Sequence, residues 1–343
     1  MILGIAAALF TADPALAQDP GDFTIQPEIL LASAPGYRSN GVGAPSVVWD
    51  PDQSRYLMVF EVRLPDVAAE CPAGKWGLGL ATSTDGLNWF PGPTALFEPA
   101  AGSFYSCVAA HPTAVYDNTD RALYVFFKSE QGTDACDVTT PSWGCTRYTG
   151  VGRLRVGFDV LGNPTRLTVR STPVVDIDVD MGFPKFVNQG STKYILLSRN
   201  PDVFVASSPV FSDFSLDPDP VITPGLVTWG QDEMFNPSVV CQDSISFPLA
   251  SYPGGRNLDG FSILGAGWGK ALASTPSSWF LGASPYFEWS DDDQWRHWEV
   301  SRLSTGEYLV YFSEKDASGN PRIRLATTTP SWSGVDIAGK SCP

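Results

Sequence analysis

Pro45-Ser46-Val47-Val48-Trp49, a polar turn over Asp50 to Arg55, then Tyr56-Leu57-Met58-Val59-Phe60: the fold is decided in this stretch. A proline opens a short apolar strand and an aromatic-rich strand returns, which reads as a β-hairpin of branched and ring side chains. The same order recurs as Pro112-Thr113-Ala114-Val115-Tyr116 with Leu123-Tyr124-Val125-Phe126-Phe127, and as Pro184-Lys185-Phe186-Val187 with Tyr194-Ile195-Leu196-Leu197. A fourth copy starts at Pro237-Ser238-Val239-Val240 and continues to Phe247 and Tyr252. The fifth lacks the proline: Trp298 to Leu303, a turn at Thr305-Gly306, then Tyr308-Leu309-Val310-Tyr311-Phe312.

A second pattern follows four of the hairpins. Leu80-Ala81-Thr82-Ser83 precedes Trp89, Val205-Ala206-Ser207-Ser208 precedes Phe214, Leu272-Ala273-Ser274-Thr275 precedes Trp279, and Leu325-Ala326-Thr327-Thr328 precedes Trp332. After the second hairpin, Leu154-Arg155-Val156-Gly157-Phe158 stands in that place. Five repeats over residues 18–343 allow about 65 residues each, the size of a four-stranded blade with generous loops. One twisted sheet cannot cover both of its faces, whereas five stacked radially can. The reading is therefore all-β, a five-bladed β-propeller over 18–343, with a β-sandwich as the competing arrangement. Proline lacks an N–H, so each proline is expected as the first residue of its strand.

Composition agrees with this. Among 343 residues are 32 Gly, 29 Pro, 11 Trp, 11 Tyr and 20 Phe, which favours short strands and turns over helices. A net charge of −15 repels phosphate backbones and anionic bilayers, so neither nucleic acid nor membrane is expected as a partner. No run of eighteen apolar residues exists to span a bilayer. A monomer is expected.

The chain opens MILGIAAALF and reaches Ala15-Leu16-Ala17 before Gln18, so residues 1–17 read as a signal peptide cut after Ala17, although no basic segment precedes the apolar run. The protein is thus expected to be secreted or periplasmic. Six cysteines without paired CxxC spacing favour disulfides there. Fifteen connectivities are open. Cys136–Cys145 closes a short loop, and Cys71–Cys107 with Cys241–Cys342 follow by elimination.

In a propeller the segments just before each inner strand share one funnel. They are Asn40 to Ala44, Ser106 to His111, Asp178 to Phe183, Gln231 to Asn236, and Gln294 to His297. Both histidines of the chain, His111 and His297, fall here, with Asp180, Asp232, Glu233 and Arg296. Glycosidic cleavage needs two opposed carboxyl groups, one protonated and one ionised, and Asp180 with Glu233 or Asp232 is the pair available. Turn capping or pairing with Arg296 is the structural alternative. His111 could position a carboxylate, bond a sugar hydroxyl, or be a core residue. Trp229, Trp268 and Trp295 could stack on sugar rings, and Asn236 could bond hydroxyls. The second strands return to the same face at Glu61, Lys128, Arg199, Tyr252 and Glu314, with Glu61 expected to be solvated or salt-bridged.

These residues, with Ala81-Thr82-Ser83-Thr84-Asp85-Gly86-Leu87-Asn88-Trp89, resemble the five-bladed glycoside hydrolases: arabinanases, β-xylosidases, invertases and levansucrases. The resemblance implies a carbohydrate substrate and a funnel site. It places carboxylates at positions that here hold Ala44, Phe183 and Phe235, with Asp180 three residues and Glu233 two residues earlier. It also places a last-blade histidine, here His297, near a structural cation on the axis, with no cofactor required for the chemistry. Two functions stay open: hydrolysis of a neutral oligo- or polysaccharide, and a non-catalytic propeller that binds a glycan or a protein. A lyase, or a hydrolase with His111 as acid, is a third.

Overall fold

The computed structural model describes residues 24–65, 70–71, 74–132, 146–176, 182–189, 191–199, 202–226, 233–234, 237–241, 248–258, 261–271, 279–281, 287–289, 296–302, 308–315, 318–327 and 341–342. Every regular element among them is a strand. After β1 (Thr24–Leu31) comes a group of β2 (Val42–Asp50), β3 (Arg55–Arg63), β4 (Trp76–Ser83) and β5 (Phe90–Pro91). A second group holds β6 (Val108–Asp117), β7 (Ala122–Gly132), β8 (Thr146–Phe158) and β9 (Pro164–Val169). The third is β10 (Gly182–Gln189), β11 (Thr192–Arg199), β12 (Asp202–Ser208) and β13 (Ser215–Leu216). The fourth comprises β14 (Glu233–Met234), β15 (Ser238–Cys241), β16 (Pro248–Leu258), β17 (Phe261–Ala271), β18 (Trp279–Leu281) and β19 (Phe287–Trp289). The last is β20 (Arg296–Arg302), β21 (Tyr308–Lys315) and β22 (Pro321–Thr327), before a terminal β23 (Ser341–Cys342).

Within each group the strands are antiparallel neighbours. The final group takes its fourth strand from the other end of the chain, because β1 pairs with β22 through Thr24↔Thr327 and Ile25↔Ala326. That pairing ties the beginning of the described chain to its last sheet. Inner strands also touch in order: β2 lies beside β6, β6 beside β10, β10 beside β15, β15 beside β20, and β20 beside β2.

The apolar runs of β3 and β7 are continuous because both of their faces are covered. Along β3, Tyr56, Met58, Phe60 and Val62 enter a core shared with Leu309, Tyr311, Ile323 and Leu325 of the last group. Leu57 and Val59 point the other way, into a core with Leu123, Val125 and Phe127 of β7. On β7, Tyr124 and Phe126 face Phe186, Ile195 and Leu197 of the third group. This is strand alternation with two buried sides instead of one. The Asp-Gly motif is an anchor within this packing: Asp85 accepts the Leu87 and Asn88 amides, and Gly86 supplies a φ of 73°. Trp89 then lies buried, its indole N–H on the Gly86 carbonyl and its ring edge-on to Tyr311.

Two glycines repeat one device. Phe60 is registered opposite Gly79, and Phe127 opposite Gly152. A Cβ on Gly79 would stand 2.4 Å from the Phe60 ring, and one on Gly152 2.3 Å from the Phe127 ring. Both rings are fully buried and have nowhere to go. Gly79→Ala and Gly152→Ala are each expected to lose about 1–3 kcal/mol in urea unfolding; a neutral result would mean that the rings are free to move.

The prolines are not where the sequence reading put them. Strand β2 begins three residues before Pro45, β6 four before Pro112, and β10 two before Pro184. The register slips at each site, between Gly43 and Ser46, Ala110 and Thr113, and Gly182 and Lys185. Each proline therefore sits in a β-bulge, where its missing N–H interrupts no ladder bond. The residue before it is left-handed: φ is 41° at Ala44, 48° at His111 and 53° at Phe183. A matching slip separates Arg296 from Glu299 on β20.

Just past the bulges lie Ser46, Thr113, Lys185 and Glu299, and Ser238 follows Pro237, all buried. Ser46 Oγ accepts the Ala114 amide at 2.9 Å and Thr113 Oγ1 accepts the Phe186 amide at 3.0 Å, stitching β2 to β6 and β6 to β10. Lys185 Nζ meets Glu299 Oε2 at 3.3 Å. That pair joins β10 to β20, and β15 touches both of those strands. Cys71 and Cys107 form a disulfide with Cα atoms 5.4 Å apart, as expected by elimination. The other expected pairs, and the signal peptide, involve residues or side chains outside those described.

Candidate functional site

Glu61 and His111 are 50 positions apart in sequence and meet between the first two groups. Gly43 is registered opposite Glu61, which places the carboxylate beside the first bulge. The His111 backbone N–H, exposed by the second bulge, donates to Glu61 Oε2 at 3.2 Å, and His111 Nδ1 stands 3.2 Å from the same oxygen. The His111 ring lies against Phe183 of the third bulge, centroids 4.4 Å apart. Three sequentially remote bulges thus converge on one patch.

Of the two roles expected for Glu61, solvated or salt-bridged, solvation does not hold: only 5% of the residue is exposed, and its Oε2 faces His111 Nδ1. Burial pushes its pKa up to about 7, against the opposing pull of the His111 N–H and the Lys128 charge. Lys128 cannot fully offset the burial because its ammonium is held by Glu130 at 2.8 Å and lies over the Tyr148 ring at 4.6 Å. The carboxyl group is therefore balanced between its two protonation states near neutrality.

The carboxylate borders a cavity of about 230 Å³, lined also by Asn40, Gly43, Arg63, Trp76 and Asn320. Amides, a guanidinium lying over an indole (Arg63 on Trp76, 5.9 Å), and a carboxyl group suit a polyhydroxylated ligand. A larger cavity of about 320 Å³ lies between β5 and the turn before β9. Its Arg55 is held by Asp50 and the Gly162 carbonyl, and it contains no carboxylate.

Of the other expected site residues, Asp180, Asp232, Asn236, Trp229 and Trp295 lie outside those described. Glu233 opens β14 opposite Gly255, Trp268 lies on β17 opposite Ser251, and Arg296 opens β20 opposite Ser313, with His297 next to it. For these four only the backbone is described. Among the described residues, no three His, Cys, Asp or Glu cluster as metal ligands, and no helix is long and apolar enough to cross a membrane. Trp76, Arg63, Asn320 and Tyr148 escaped the sequence reading, because none adjoins a repeat's opening strand.

No family model matches the sequence, and no curated protein matches it. Solved structures do resemble it. A glycosyl hydrolase from Bacteroides ovatus superposes with a TM-score of 0.64 at 12% identity, covering 92% of this chain and 96% of that one. An endo-arabinase from Bacteroides thetaiotaomicron gives 0.58 at 11%, covering 89% and 99%. A family 117 glycoside hydrolase from Zobellia galactanivorans gives 0.59 at 13%, covering 90% and 91%. The all-β fold is the one shared by these propeller-type glycosidases.

Proposed function

We propose that the chain closes as a five-bladed β-propeller and hydrolyses a glycosidic bond of a neutral oligo- or polysaccharide at the mouth where the bulges converge. The observation that carries this reading is a carboxyl-lined cavity at the inner-strand bulges of a chain that shares its fold with glycoside hydrolases over about nine-tenths of its length. The unbroken order of inner-strand contacts supports the five-membered ring. A chain charge of −15 argues for an uncharged glycan. Asp180, with Glu233 or Asp232, remains the proposed source of the ionised carboxylate, and Asn236, Arg296, Trp229, Trp268 and Trp295 of further sugar contacts. His297 remains the residue proposed to stand near a structural cation on the axis. An exported, disulfide-bonded protein is consistent with an extracellular glycan.

The test is release of reducing ends from a panel of neutral polysaccharides. Wild type is expected to release them, and Asp180→Asn or Glu233→Gln is expected to cut the rate by about 10²–10⁴-fold. Unchanged turnover in both variants would remove that pair from the mechanism. A second reading is favoured by Ala44 and Phe183, which occupy places where the resemblance puts carboxylates: a non-catalytic glycan-binding propeller. Retention on a glycan column without any product would establish it.

A further inference from the structure

Beside the first bulge a carboxyl group stands one strand over, on β3. Ala44 and its neighbour Gly43 present almost no side chain, and a Cβ on Gly43 would come within 3.5 Å of Glu61 Oε1 and 3.2 Å of Ser313 Oγ. Glu61 thus lies against the backbone of the bulge, reached from β3.

Capping explains only part of this arrangement. At the first bulge the Ala44 amide is capped by Ser313 Oγ at 2.8 Å. Ser313 is registered opposite Arg296 on the last sheet, just as Glu61 is opposite Gly43 on the first. The two residues hold equivalent positions and cap the bulge of the following group. An uncharged serine therefore suffices for the bond. Glu61 makes the same bond with an ionisable group whose burial disfavours its charged form. That excess cost is retained beside a cavity, which is where a functional carboxyl group would bear it.

We propose that Glu61 is the proton donor of the site, held on the His111 amide and turned toward the cavity walled by Trp76, Arg63 and Asn320. The proposal rests on the glycosidase reading above. As the bond between the anomeric carbon and the leaving oxygen breaks, the Glu61 proton passes to that oxygen and frees an alcohol. Water bonds to the anomeric carbon and gives its proton to the second carboxylate. Glu61 ends ionised, the second group ends protonated, and exchange with solvent restores both.

The groups facing Glu61 are His111 of β6 and Lys128 of β7, with Glu130 pairing Lys128; Arg63 lines the same cavity, and Ser313 across Gly43 is neutral. A donor must carry its proton, so turnover should fall as pH rises through about 7. Stability follows the same sign. The folded pKa lies above the unfolded one, so this stabilising contribution is complete below about 4.5 and is lost as pH climbs toward 7.

The experiment compares wild type, Glu61→Gln and Glu61→Ser on the glycan that wild type cleaves and on the nitrophenyl glycoside of the sugar released. Gln keeps an oxygen for the His111 amide, and Ser reproduces the cap at Ser313. Both variants are expected to lose about 10²–10⁴-fold on the glycan and to lose the limb near pH 7. Both should stay within a few-fold on the aryl glycoside, whose leaving group departs without a proton. Glu61→Gln should also unfold at a higher temperature than wild type at pH 8, and at the same temperature at pH 4. Equal glycan turnover by Glu61→Gln and wild type overturns the proposal and leaves the glycosidase reading standing. Equal losses on both substrates assign Glu61 a structural role and overturn it as well. A wild type that cleaves no glycan overturns both.

Discussion

Lys185→Met is expected to lower the unfolding free energy by about 3–5 kcal/mol, because it removes the ammonium that Glu299 faces 3.3 Å away in the interior. Glu299 is 2% exposed and cannot recover water by a small shift. Burial draws the Lys185 pKa down to about 7. The pair itself contributes little net stability, since desolvation offsets most of its attraction. The double variant Lys185→Met with Glu299→Leu is therefore expected to unfold within about 1–2 kcal/mol of wild type. Urea denaturation of wild type and these two variants measures this. A single variant as stable as wild type would mean that water reaches Glu299.

Removing the Cys71–Cys107 bond by replacing both cysteines with serine is expected to cost about 4 kcal/mol, the chain entropy released when a loop of this length opens. The bridge spans 36 positions and both cysteines are fully buried. It also has a local consequence. Cys107 accepts the Trp76 amide at 3.0 Å and donates to the Glu130 carbonyl at 3.1 Å, so it seats the strand that carries the Trp76 wall of the cavity. Affinity for the glycan proposed above should therefore fall along with stability. Unfolding free energies of the oxidised and serine forms that agree within 1 kcal/mol would show that the packing alone carries this junction.

The repeats were legible because each apolar residue of a hairpin is buried on one side or the other, so Tyr56 to Phe60 and Leu123 to Phe127 declare themselves without gaps. The motif around Asp85 was equally legible, with Trp89 as the aromatic that anchors it. The bulges were invisible: a bulge is a slip in register against a partner strand, and a single strand contains no record of its partner. For the same reason the prolines were placed at strand starts and not within them.

By itself the sequence determined an all-β chain of repeated hairpins, and it raised Cys71–Cys107 and a set of acids and histidines ahead of the inner strands as expectations. Only the tertiary structure decided that Glu61 is buried and that it meets His111. It alone showed that Ser313 performs the same capping without a charge, and that Lys185 reaches Glu299. Hairpin pattern is local, written in side chains a few positions apart. The protonation of a carboxyl group depends on which distant strands exclude water from it, and that is known only once the sheets have packed.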